Sequence, residues 1–203
     1  MGTRRLVRQY VAIGFGFSAF TIAFLLGSAV TMSTGIPLLG GVINGVLVSM
    51  VLTIGLLAVD RFWTATLMWF VFGLFATMTT TLGPPGLYKI PIGIVAGLIW
   101  DAIYFGLRRR TVGLFAGALV GAMAIMLLML GALYLGFGRD AAAALEKYSS
   151  ALSVLVAVNL AVTALGVFLG RQAYRTRLSR LQLFRNLKFS PEPEDTNGGA
   201  AED

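Results

Sequence analysis

The chain has no cysteine and no histidine among its 203 residues, and only 12% of them are charged. Without cysteine there are no disulfides, thiolate metal sites or lipidated thiols. Without histidine the commonest metal ligand and general base is missing, which argues against metal-dependent or histidine-based membrane enzymes. A soluble domain carries about 25% charged residues, so the low charge content excludes a soluble fold. Several motifs are absent too. No phosphate-binding glycine loop with a following Lys-Ser/Thr occurs, no Gly-x-Ser-x-Gly elbow, and, before the acidic tail, no carboxylate pair within one helical turn. The expectation is a protein that is not an enzyme and needs no cofactor.

What the chain has is hydrocarbon-compatible length. Hydrophobic residues make up 57%, and the mean hydropathy is +0.83. Six continuous apolar runs stand out, at about Tyr10–Met32, Leu38–Val59, Phe62–Leu82, Ile90–Leu107, Thr111–Phe137 and Ala151–Gly170. Each suits a tilted helix crossing about 30 Å of hydrocarbon. A β-barrel would alternate instead. The expected fold is an all-α integral membrane protein, a six-transmembrane-helix bundle over residues 1–173. The basic N-terminus, MGTRRLVRQY, reads as the start of a retained first span, because the apolar run after it is too long for a signal-peptide core.

Charge gives the orientation. Arg4, Arg5, Arg8, Arg61, Arg108, Arg109, Arg110, Arg171, Arg175, Arg177, Arg180, Arg185 and Lys188 fall on one side of this layout. Only Lys89, Arg139 and Lys147 fall on the other. The positive-inside rule then places both termini in the cytoplasm and the protein in the cell membrane. It also accounts for the net charge of +7 through contact with anionic lipids rather than nucleic acid. Beyond Gly170, residues 174–189 show apolar residues at helical spacing among arginines, as expected of an amphipathic helix on the inner leaflet; a plain continuation of the sixth helix is the alternative. Residues 190–203 hold five acids and no base, and are expected to be disordered.

The stretch Leu82–Arg110 organises the rest. A Pro84-Pro85-Gly86 turn leads to Tyr88-Lys89, then to an apolar run holding one acid, Asp101, and then to three arginines. Asp101 is the only acid inside any apolar segment. It is a candidate for a polar tie to a neighbouring helix, a proton or cation site, or a substrate contact. Asn44 and Asn159 can hydrogen-bond a ligand in an outward cavity or a neighbouring backbone. Small-residue pairs such as Ala19/Ala23, Gly93/Gly97 and Gly113/Gly117/Gly121 suit close helix packing. Met123, Met126 and Met129 form a stripe read as flexible packing.

The segment Ala19-Phe20-Thr21-Ile22-Ala23 is similar to the Ala-x-x-x-Ala by which the first helix of an energy-coupling factor S component meets its coupling subunit. GPPGLYKIPIGIVAGLIWD resembles the loop and fourth helix of several such proteins. Six spans over residues 10–170, both ends inside and no nucleotide site complete the resemblance. It implies capture of a vitamin or similar micronutrient in an outward pocket. Delivery would follow docking on a transmembrane coupling subunit with two cytoplasmic ATPases. By position, Tyr88, Lys89, Tyr148 and Asn159 would face that pocket, Pro37 would lie in the gating loop, and Ala19 and Ala23 would face the partner. The residues alone leave two other readings open. One is an ion-coupled secondary transporter or channel using Asp101; the other is a structural subunit of a membrane complex.

Overall fold

A computed structural model of the chain describes residues 3–34, 37–79, 85–137 and 149–180. Among them are six α-helices and no strand. They are α1 (Thr3–Thr34), α2 (Pro37–Val59), α3 (Thr64–Ala76), α4 (Lys89–Gly106), α5 (Thr111–Phe137) and α6 (Ser149–Thr176), followed by a 3₁₀ turn at Leu178–Arg180. All but α3 are long and apolar enough to cross a membrane. The chain is a multi-pass membrane protein, and its described spans are helical, the form in which a backbone crossing hydrocarbon pairs its own polar groups.

Two sequence expectations change. The third span, drawn from Phe62 to Leu82, is a helix of only 13 residues. At 1.5 Å per residue it reaches about 20 Å, well short of the hydrocarbon thickness. The sixth helix does not end at 173: it continues through Thr176, and Tyr174 is buried against Ile54 and Ala58 of α2. The remainder of the expected amphipathic helix, and the acidic tail, lie outside the described residues.

The helices close into a ring in the order α1, α2, α6, α5, α4, α3, with α3 returning to α1. Its interior is filled by Leu52, Leu56, Met68, Phe72, Trp100, Leu114 and Val167. Glycines set how closely the helices approach. A Cβ on Gly93 would sit 2.5 Å from the Trp69 carbonyl oxygen. One on Gly117 would sit 2.6 Å from the Trp100 ring, and one on Gly170 would sit 2.6 Å from the Met50 carbonyl oxygen. With no hydrophobic force between helices in lipid, such backbone contact supplies the adhesion. The glycine motifs of α4 and α5 therefore serve packing within the bundle. The thinnest edge of the ring lies between α5 and α6.

One end of the ring gathers the arginine loops. Arg109 Nη1 reaches Asp60 Oδ2 at 3.2 Å, joining the α4–α5 turn to the α2–α3 turn. Arg171 Nη2 donates to Thr111 Oγ1 at 3.0 Å, joining the end of α6 to the start of α5. The two interlocked turns hold Asp60, Trp63, Arg108 and Arg109 at positive φ. Left-handed backbone costs about 1–2 kcal/mol for a non-glycine residue. The arginine stacked 5.0 Å over Phe105 and the phenylalanine pair Phe62–Phe105 at 5.7 Å hold this end together against that cost. Residues 85–88 lie at the other end of α4. Because the chain has no cysteine, Leu87→Cys and Arg110→Cys are clean single reporters. A membrane-impermeant maleimide added to oriented vesicles should label them from opposite faces; labelling of both from one face would refute the topology.

Candidate functional site

The chemistry of the α3–α4 pair follows from α3 being too short. A helix leaves four amides and four carbonyls unpaired at its ends, and in hydrocarbon each orphan is expensive. The residue at the α3 N-cap is Trp63, with φ 76° and no side-chain cap. An indole offers no acceptor, so the cap comes from another helix. Asp101 of α4, 0% exposed, accepts from Ala65 N at 3.1 Å, from Thr66 N at 2.9 Å and from Thr66 Oγ1 at 2.8 Å. The remaining early amides find local acceptors, Thr64 N on Arg61 O and Leu67 N on Trp63 O.

The opposite end is closed from the same helix. Lys89, 1% exposed, donates from Nζ to Ala76 O at 3.0 Å and Thr79 O at 2.6 Å. Thr77 N turns back on Gly73 O and Leu74 O, and Gly86 N reaches Thr77 O. Asp101 and Lys89 are twelve residues apart, about 18 Å along α4. That matches the length of the antiparallel helix they bracket. An anion at the amide end and a cation at the carbonyl end both complement the α3 dipole. Close approach makes the reach possible, since Gly73 lies against Lys89, Gly93 against Trp69, and Gly97 against Ala65 and Thr66.

Of the roles open to Asp101, the polar tie is the one its oxygens are engaged in. Lys89, expected to face a pocket, is turned into the bundle and spent on carbonyls. Replacing Lys89 with Met should therefore cost about 2–3 kcal/mol through two orphaned acceptors, read as a lower midpoint in detergent-induced unfolding. Combined with Asp101→Asn the losses should add, because about 18 Å separates the sites and they share no partner. A midpoint unchanged in Lys89→Met would remove this role.

The other expected residues are spread around the ring. Tyr88 precedes α4, half-buried at the end away from the arginines; burial pushes its phenol above the ordinary value. Pro37 starts α2, and Tyr148 lies outside the described residues. Asn44 is pressed on Gly27 of α1, and its Oδ1 is buried without a partner. Asn159 is half-buried on α6, one turn from Val162, which packs on Gly45 of α2. The structure thus brings α2 and α6 together near Asn44 and Asn159, and separately pairs Tyr88 with the Lys89 end of α3.

Ala19 and Ala23 require a correction. They are 0% and 2% exposed and belong to the core with Met68 and Phe72, so their face is covered by the protein's own helices and is not free for a partner. Sequence reasoning also passed over Thr53 and Trp100, whose Oγ1 and Nε1 are likewise buried without partners. Each lies six residues from the arginine end of its helix, opposite Gly170 and Gly117 respectively. A threonine and a tryptophan in apolar runs give no signal of this; only the neighbouring glycines hint at it. Among the described residues no group of three or more acidic, His or Cys side chains could hold a metal.

No protein-family model, no curated protein and no solved structure matches the chain.

Proposed function

We propose that this protein captures a small water-soluble metabolite, a vitamin or similar micronutrient, from the side of the membrane opposite its arginines. Uptake would be energised by ATPases acting through a separate transmembrane subunit, as in the energy-coupling factor S components it resembles. The observation that carries this reading is the asymmetry between the ends of the ring. The arginine end is latched by Asp60–Arg109 and Arg171–Thr111. The other end has a foreshortened α3, the hydroxyls of Thr77 and Thr79 turned back on Leu74 O and Ala76 O, and Asn44 with an uncommitted buried oxygen. A polar, shortened end facing away from the cytoplasm is where a hydrophilic solute would enter, and the thin α5–α6 edge is where the ring yields most easily.

The test is binding by the purified full-length chain, followed by native mass spectrometry and thermal shift across a vitamin panel. One metabolite should bind, and Asn44→Leu or Asn159→Leu should weaken it about tenfold or more, the scale of a lost buried hydrogen bond. No retained or added ligand across the panel would overturn the reading. Because Ala19 and Ala23 are internal, replacing both with Leu should lower stability as well as uptake. Uptake lost with stability and binding intact would return them to a partner interface.

A further inference from the structure

We infer that the arginine end of the α5–α6 edge is a binding site for one anionic phospholipid, its phosphate held by Arg171 and Arg175 with Arg110 alongside. On α6, Phe168, Arg171 and Arg175 follow at i, i+3 and i+7, a single helical stripe. Its apolar part continues upward through Leu165, which is 49% exposed, beside Phe168 at 52%. On the facing start of α5, Val112 is also exposed. The Arg171–Thr111 hydrogen bond places the guanidinium across the mouth of this edge and uses one of its five donors. The acid nearest this end, Asp60, is engaged by Arg109 and by Tyr104 at 3.5 Å. The one other described carboxylate towards this end, Asp101, is buried and engaged by Ala65 and Thr66 at the start of α3, so neither acid is left to neutralise Arg110, Arg171 or Arg175.

A guanidinium fork above exposed apolar side chains matches a phosphodiester above two acyl chains. The fork matches phosphate oxygens in pairs, and basic recesses between membrane helices are where anionic headgroups lodge. The ring is thinnest at this edge, so an acyl chain would fill the gap that side chains leave. The lipid would then be the seventh stave of the bundle at its weakest joint. Glycine-tight edges elsewhere leave no such room.

The experiment titrates the full-length protein in neutral detergent with phosphatidylglycerol or phosphatidylcholine and counts bound lipid by native mass spectrometry, with melting temperature as a second readout. One phosphatidylglycerol should bind in preference to phosphatidylcholine by about thirtyfold or more, the effect of two to three arginines at a headgroup, and raise the melting temperature. Arg175→Gln, which spares the Thr111 hydrogen bond, should cut the preference severalfold. The pair Arg171→Gln and Arg175→Gln should abolish it, while Arg61→Gln on the other side of the same end keeps it. Equal binding of the two lipids would overturn the proposal. So would a preference that persists in the double variant, or one that Arg61→Gln lowers as much, since that would be bulk charge and not a site. If the double variant does not fold, Arg175→Gln and Arg61→Gln decide between the same outcomes.

Discussion

Asp101→Ala should lower stability by about 3–6 kcal/mol, since it removes three hydrogen bonds to a charged acceptor and leaves two buried amides with nothing to donate to. Against a typical folding stability of 5–15 kcal/mol, that loss decides whether the protein survives extraction. Hydrogen bonds between membrane helices average only about 0.6 kcal/mol, because released side chains find other partners. Here the donors are backbone amides at the start of α3, and Trp63 cannot substitute. A larger effect than the average follows. Asp101→Asn keeps one acceptor oxygen but turns an amide group toward amides, so about half the loss should remain. Thr66→Val, which deletes only the hydroxyl bond, should cost about 1 kcal/mol. The order Ala, Asn, then Thr66→Val in unfolding midpoints, measured by titrating denaturing detergent into mixed micelles, checks the cap. An Asp101→Ala protein as stable as the parent would eliminate it.

Gly97→Leu should be comparably damaging for a different reason. A Cβ at Gly97 would press on the Thr66 Cα and lie 2.8 Å from both Ala65 O and Thr66 N, all backbone atoms that cannot swing aside. α4 would have to lift from α3 where Asp101 reaches across, so overpacking of about 1–3 kcal/mol or more combines with the lengthened bonds of the cap. A total of about 4 kcal/mol is expected, with Gly97→Ala losing roughly half of it. The comparison is internal. Gly14 and Gly106 have nothing within 4 Å of the added Cβ, so Gly14→Ala should instead gain up to about 1 kcal/mol from helix propensity. Equal effects at Gly97 and Gly14, read in the same unfolding titration, would show that the α3–α4 approach is not what the glycine serves.

The membrane character and the ends of α2, α4 and α5 were legible in the sequence, because length and continuous hydropathy are local properties; α1 begins seven residues before its apolar run and α6 ends six residues after its own, where the helix continues into polar sequence. The segregation of arginines was legible as well. The shortness of α3 was not. Phe62 and Trp63 before the helix and Met78 after it carry the apolar run past the helix that forms, and the stop at Ala76 depends on Lys89, which is distant in sequence. Asp101 was marked as exceptional by its surroundings alone, yet its duty was set by a missing cap on a helix thirty-five residues away. Ala19 and Ala23 went astray because an Ala-x-x-x-Ala spacing states that something comes close without stating what. Buried Lys89 misled in the same way: a cation at a helix start near a polar turn looks like a ligand contact until its acceptors are seen.

The dependence of α3 on both ends of α4 also bears on how the chain enters the bilayer. The ribosome completes Thr64–Ala76 before it makes Lys89 or Asp101, so the nascent third segment has no anion for its leading amides and no ammonium for its trailing carbonyls. Left alone in lipid it would be among the least tolerable parts of the polypeptide. The third segment is therefore expected to wait at the insertion machinery or the interface until the fourth arrives, the two partitioning together as a hairpin whose polar ends cancel.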